Sequence, residues 1–266
     1  MKQETIRSDL VLEQNTKELV VEERREENHI KIVECRDHKY QYSTIYFQDI
    51  TDYQDYHNLQ NVLQKELKKY IKVIENDQIL VIGLGNSKST PDSLGPLTLE
   101  HILVTRHLKN FGEIEEGYSN VCIYKPDVSG NTGIESTSII KNIIKEIKPS
   151  KVIMIDSLKA NDLNRLTKTI QITSKGMNPG SGIHNDQGEL SKKTLGVEVI
   201  SIGIPTVVDI KTIIETTTNA KIQVKDNFIV TPTNIDFVIE KLSYLLGDTM
   251  NQILHKNYLR QNNKET

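Results

Sequence analysis

Apolar positions are sparse at the start of the chain, then periodic, and then gathered into strand-like runs. Residues 1 to about 28 are polar and charged and end in "VVEERREEN", which predicts an extension with weak structure of its own. "HIKIVECRD" and "YSTIYFQDI" alternate apolar and polar positions, as edge strands or a hairpin do. Leu59, Val62, Leu63, Leu67, Tyr70, Ile71 and Ile74 follow at three- and four-residue spacing, which marks one face of a helix.

From Gln78 onward the pattern is strand, loop, helix, repeated. "QILVIGL" reads as a strand and "LGPLTLEHILVTRHLKN" as a helix. "NVCIYK" is a strand and "IESTSIIKNIIKEIK" a helix. "KVIMIDSL" is apolar without alternation, as a strand covered on both faces is. A short helix at "ANDLNRL", strands at "TKTIQIT" and "VEVISIGI", and a final strand and long helix at "FIVTP" and "TNIDFVIEKLSYLLGDTMNQILH" complete the series. This alternation predicts an α/β fold, a doubly wound, mostly parallel sheet with helices on both faces. A single domain is expected over residues 10–256, with edge strands and a helix over 29–76 and a core over 78–256, followed by a polar tail over 257–266.

Composition narrows the function. Hydrophobic residues make up 36% and charged residues 26% of the 266, with a net charge of -3, which suits a soluble globular protein and gives no basic surface for nucleic acid. No apolar run approaches the roughly 20 residues of a membrane span. "MKQETIRSDL" lacks the apolar stretch of a secretory signal, so the protein is expected in the cytoplasm. Cys35 and Cys122 lie far apart and outside any CxxC, so neither a disulfide framework nor a zinc ribbon is expected; Cys122, inside "NVCIYK", reads as a buried structural thiol.

In an open α/β sheet, ligands bind beyond the carboxyl ends of the strands. At one such end "VIGLGNSKSTPDSLGP" begins like a dinucleotide fingerprint, but Lys88 stands where the third glycine belongs. The chain then inserts Asn86 to Pro91 and presents Asp92. "VIMID" ends in a second aspartate, Asp156. Two neighbouring carboxylates can share a proton, activate a water and protonate a leaving amine. An aspartate at a strand end also serves as a helix N-cap, and spacing alone leaves both roles open.

Two further loops could carry chemistry. In "PDVSGNTGIES", Gly130 and Gly133 suggest left-handed turns or close backbone approach, and Asn131 and Thr132 could cap the next helix. "SKGMNPGSGIHNDQGELS" is long for a connector, and holds His184 and Asp186. No HExxH or Cys/His cluster is present, and no spacing rule supports convergence of Asp92, Asp156 and His184 on a metal. There is no GxSxG, and Asp156 is followed by Ser157-Leu158 where a pepsin-like site needs Thr/Ser-Gly.

Together, "VIGLGNSKSTPDSLGP", "LVTRHL", "PDVSGNTGIES", "VIMIDSLKA", "TIQITSKGMNPGSGIHN", "ELSKKTLGVEVISIGIPTVVD" and "FIVTPTNID", in this order, resemble the germination protease of spore-forming Bacillota, which degrades small acid-soluble spore proteins. The resemblance implies a non-pepsin aspartic-type endopeptidase whose core is similar to that of hydrogenase maturation proteases. It implies that Asp92 and Asp156 are the catalytic acids. The cleft is expected to be shaped by Gly130, Asn131 and Thr132 and by Gly180, Ser181, Gly182 and His184. It implies a homo-oligomer, a tetramer in the family, working in the forespore and spore core without membrane or direct nucleic-acid contact. No cofactor is expected, although the related maturation proteases hold nickel with equivalents of these acids and a histidine, which keeps a metal at Asp92 and Asp156 open. "IRSDLVLE" resembles the family's propeptide site, so residues 1–9 are expected to be removed by self-cleavage between Asp9 and Leu10.

The chain departs from the family's pattern in places. About 18 residues separate Asp209 from Phe228, where the family usually carries a long segment. Asn178 stands where a histidine is common, "HNDQGE" replaces a glycine and basic residues, and Ser129 and Asn131 replace apolar residues. These changes leave two alternatives: a catalytically silent sporulation paralogue that acts as a binding protein, and a nickel-dependent protease of the hydrogenase maturation type.

Overall fold

The apolar runs of the second half stack side by side into the buried centre of one sheet. A computed structural model of the protein describes residues 9–13, 19–74, 77–112, 116–178, 188–218 and 228–258. Strands β4 (Gln78–Gly83), β5 (Asn120–Tyr124), β6 (Lys151–Ala160) and β8 (Glu198–Asp209) are parallel, in the order β5-β4-β6-β8. Beyond β8 the sheet continues antiparallel through β7 (Thr169–Thr173), β3 (Gln41–Tyr46), β2 (Ile30–Arg36) and β1 (Val20–Glu27). A two-residue strand, β9 (Ile229–Val230), pairs with the end of β8.

Side chains on a strand alternate between faces, so each core strand divides its apolar residues in two. Ile79, Val81, Ile153 and Ile155 pack on one face against α1 (Tyr53–Tyr70), α2 (Leu94–Glu100) and α8 (Ile235–Leu254), through Leu63, Leu94 and Leu246 among others. Leu80, Ile82, Val152 and Met154 pack on the other, against Ile140 and Ile144 of α5 (Ser136–Ile147). Coverage of both faces is why these strands carry no alternation. Short helices α3 (Arg106–Asn110), α4 (Ser129–Thr132), α6 (Lys192–Leu195) and α7 (Ile210–Thr218) fill the connections. Among the described residues no helix is long and apolar enough to cross a membrane. Cys35 and Cys122 are both free and buried.

The structure corrects four expectations. "LGPLTLEHILVTRHLKN" is two helices: Asn251 of α8 donates to His101 O and accepts from Leu103 N–H, both at 2.8 Å, which holds the chain out of helix between α2 and α3. Ile74 lies past the end of α1 and is 67% exposed. Asp156 does not end its strand, because β6 runs four residues further to Ala160, with a register shift after Leu158.

The fourth correction concerns residues 20–27, expected to have weak structure, which form the edge strand β1. Its sequence is almost wholly charged, and ion pairing fastens it. Arg25 pairs with Glu34 of β2 and with Glu66 of α1, Lys65 pairs with Glu27, and Arg36 pairs with Glu22 at 3.0 Å. The Glu66 side chain is fully buried and also accepts from Ser43 Oγ at 3.1 Å and pairs with Lys69 at 3.1 Å. A buried carboxylate that loses a partner is costly, on the order of 3 kcal/mol. Arg25→Ala is therefore expected to destabilise the protein by about that much. Amide hydrogen exchange of Val20–Glu27 should rise first, while β4 and β6 stay protected; equal loss of protection in all three strands would count against this anchoring role.

Candidate active site

Backbone packed without side chains between it brings the two aspartates together. At the end of β4, Leu84 N–H donates to Ile155 O at 2.8 Å, so the chain leaves the sheet pressed against β6. Gly85 sits at φ 117, and a Cβ there would lie 2.0 Å from Asp92 O. A Cβ on Gly95 would lie 2.3 Å from Leu84 O and 2.5 Å from Ile155 O; one on Gly83 would lie 2.3 Å from Gly95 O. No side chain fits in these gaps. Between the glycines the loop closes on itself: Asn86 N–H donates to Asp92 O at 2.8 Å, Ser89 N–H to Asn86 O at 3.0 Å and Asp92 N–H to Ser89 O at 2.8 Å. A short 3-10 turn, Thr90–Asp92, with Pro91 inside it, delivers Asp92 immediately before α2.

Asp156 shares the face of Val152 and Met154 and is 8% exposed. Burial pushes its carboxyl well above the usual carboxylate range, and the charges of Asp92 and then of Asp9 push it further; Ser157 N–H, donating to Oδ1 at 2.9 Å, pulls the other way. Burial also raises Asp92, to about 6, against a backbone hydrogen bond from Asn86. Both carboxyls therefore hold their protons to higher pH than a free aspartate does, and the charge of one opposes ionisation of the other. Such a pair can take a proton from water and give one to a leaving group.

The predicted cleavage point lies against the same strand. Asp9 N–H donates to Lys159 O at 3.2 Å, and Asp9 Oδ2 accepts from Lys159 N–H at 2.9 Å. Leu10 is fully buried against Leu158 and Ala160, and Val11 packs with Cys35 and Tyr42. Gln171 of β7 bonds to the main chain of Asp9 and of Val11. Glu13 accepts from Asn161 N–H at 2.7 Å and pairs with Arg165 at 3.5 Å. The buried Lys159 ammonium pairs with Asp209 at 3.0 Å.

Of the other predicted residues, Asn131 Nδ2 donates to Asp127 at 2.8 Å and reaches Asn86 Oδ1 at 3.4 Å, which joins the α4 turn to the loop that carries Asp92. Thr132 Oγ1 accepts from Ile134 N–H at 3.2 Å. Gly133 takes the left-handed conformation expected of it, at φ 72. Gly130 is helical with open space around it, so neither reason given for a glycine applies there. Gly180, Ser181, Gly182 and His184 lie outside the described residues. Among the described residues no group of three His, Cys, Asp or Glu side chains is placed to hold a metal ion. Sequence reasoning missed Gln171 and Lys159. Their signal was a long polar side chain within a buried strand, which needs a partner from elsewhere.

Comparison with known proteins gives one family. The model of the germination protease family matches residues 2–225. A germination protease of Geobacillus sp. is 47% identical over 156 residues, covering 57% of this chain and 42% of that protein. One from Clostridium acetobutylicum is 42% identical over 196 residues, covering 72% of this chain and 55% of that protein. The chain thus spans about half the length of the curated relatives it matches. Among solved structures, a NiFe hydrogenase maturation protease from Thermococcus kodakarensis aligns with 73% of this chain and 98% of its own at 15% identity and a TM-score of 0.39, too loose a likeness to bear on the site.

The raised carboxyls set a pH dependence of stability. A carboxyl whose folded pKa lies above its unfolded value favours the fold fully below the unfolded pKa and loses that contribution as pH rises through the folded one. For Asp92 the window runs from 3.8 to about 6, and the gap is on the order of 3 kcal/mol. Asp92→Asn should therefore raise the denaturation midpoint relative to the parent at pH 7, with the advantage fading below about pH 4. A pH-independent difference in urea titrations would show that burial does not set this carboxyl.

Proposed function

Because the chain belongs to the germination protease family, we propose that it is an endopeptidase that degrades small acid-soluble spore proteins during spore germination, and that it is made as a zymogen that removes its own residues 1–9. Its acid pair hydrolyses the peptide bond without a covalent intermediate. Ionised Asp92 takes a proton from a water whose oxygen attacks the carbonyl carbon. Protonated Asp156 gives its proton to the departing nitrogen as the C–N bond breaks. The products are a carboxyl and an amine, and the starting protonation state returns once Asp92 passes its proton to Asp156. The observation that carries this reading is the pair itself: a buried Asp156 and a half-buried Asp92, both shifted upward, with Asp156 raised by the charge of Asp92. Buried carboxyls with separated affinities for protons are suited to acid and base roles.

Self-processing between Asp9 and Leu10 is supported by a second observation. The Asp9 charge acts directly on Asp156, and Leu10 occupies an apolar site beside that aspartate's own strand. The same reading has the protein act in the forespore and spore core as a homo-oligomer, up to a tetramer, with no cofactor.

The full chain, incubated alone and with a small acid-soluble spore protein, is expected to lose residues 1–9 and to yield discrete fragments of the substrate by mass spectrometry. Asp92→Asn and Asp156→Asn should each slow both reactions by about 10²–10⁴-fold or more, and a chelator should change neither. The rate should climb as pH rises through about 6, where Asp92 ionises, and fall again where Asp156 loses its proton. A folded parent that cuts nothing would move the assignment to a silent binding paralogue, and loss on chelation to a metal-dependent protease.

A further inference from the structure

Gln171 has a buried carboxamide with an unusual destination. Its backbone belongs to the sheet, opposite Thr44 of β3 and Gly203 of β8, and it is only 7% exposed. Its side chain bonds to the N-terminal segment: Nε2 donates to Asp9 O at 3.3 Å and Oε1 accepts from Val11 N–H at 2.7 Å. Turning the amide over would oppose oxygen to oxygen and N–H to N–H, so the two partners fix its orientation. A carbonyl and the N–H two residues further on are also the pair that a neighbouring parallel strand would engage. Here one side chain does so, and it grips main chain without reading any side chain.

The register places this group beside the acids. Asp156 of β6 lies opposite Gly203 of β8, and Gly203 lies opposite Gln171 of β7. Residues paired across a sheet face the same side, so Asp156 and Gln171 share one face, two strand spacings or roughly 10 Å apart. The middle position carries no side chain, and a Cβ on Gly203 would lie 2.4 Å from Leu158. Leu158 therefore lies low over Gly203, and Leu10 packs on it. The result is a trough with an apolar floor, an acid on one bank and an amide on the other.

Resting on the peptidase reading above, we propose that Gln171 is a further catalytic residue. It donates to the carbonyl oxygen of the bond that is cut, where negative charge gathers as water attacks, and through the N–H two residues on it fixes the register of the peptide. Because both contacts are to main-chain groups that an α-helix uses internally, the trough accepts extended chain and rejects helix. This confines substrates to segments without regular structure, whatever their sequence.

Self-processing of the full chain provides the test, since it is first order and free of substrate binding. Gln171→Met, which keeps the length of the side chain, and Gln171→Glu, which keeps its shape but loses the donor, should each slow the release of residues 1–9 by on the order of 100-fold. The ascending limb of the pH profile should stay near 6 in Gln171→Met, which adds no charge beside the acids. Val11→Pro removes the second contact and should slow the parent about tenfold while adding little to Gln171→Met. A readout that needs no catalysis is exchange of the Val11 amide in the Asp92→Asn protein: Gln171→Met should speed it by at least about tenfold while the β7 amides stay protected. Processing at the parental rate in both Gln171 variants, or unchanged exchange at Val11, overturns the proposal and leaves the peptidase reading standing. Should Gln171→Met not fold, parental rates in Gln171→Glu and Val11→Pro have the same meaning. A parent that never processes overturns the peptidase reading and the catalytic role of Gln171 with it.

Discussion

Backbone touching backbone is the constraint on which the site depends. Gly83, Gly85 and Gly95 let the end of β4, the loop to Asp92 and the first turn of α2 lie against Ile155 with carbonyl oxygens where side chains would otherwise be. Such contacts have no slack, because a main-chain atom cannot rotate aside as a side chain can. The position of Asp92 is therefore set by covalent geometry and a closed ring of hydrogen bonds. The same tightness keeps water from the carboxyls and drives their proton affinities up. Positioning and chemistry have one cause.

The buried acids make a demand that the rest of the sheet must meet. Two shifted carboxyls weigh against stability at neutral pH, and the apolar packing of β4 and β6 on both faces offsets that burden. Cations on β6 and in the turn after it are engaged elsewhere. The Lys159 ammonium is paired with Asp209, and the Arg165 guanidinium lies beside Glu13 and over the Tyr46 ring. A lysine pointed at Asp156 would lower its pKa and remove the acid half of the pair.

The core was legible in the sequence because each of its strands is dictated by its own residues: "ILVI" and "VIMI" can only be buried on two sides. The two aspartates were legible as acids at or near the carboxyl ends of apolar runs, although β6 continues past Asp156 to Ala160, and the resemblance singled them out from helix caps. What stayed hidden depends on partners distant in sequence. β1 looks like solvated coil because the charges that hold it, Glu34 and Glu66, come from other elements. The break after α2 is imposed by Asn251, some 150 residues away. Gln171 shows locally only that it needs a partner; which partner stays hidden, since Asp9 and Val11 lie about 160 residues earlier. The reach of Asp92 toward Asp156 rests on glycines whose purpose shows only when the opposing carbonyls are known.

The charged edge strand has a consequence for how these molecules behave when crowded. β1 ends the sheet on one side, and residues 22–27 are without exception Glu or Arg. A second copy that docked its own β1 there would bring like and unlike charges together in a register that cannot satisfy all of them, and would strip water from each. Sheet growth from molecule to molecule is therefore opposed at this end. A sheet with nine strands among the described residues and a large apolar interior carries a guard against fibrous aggregation in the segment that, read alone, looks least structured.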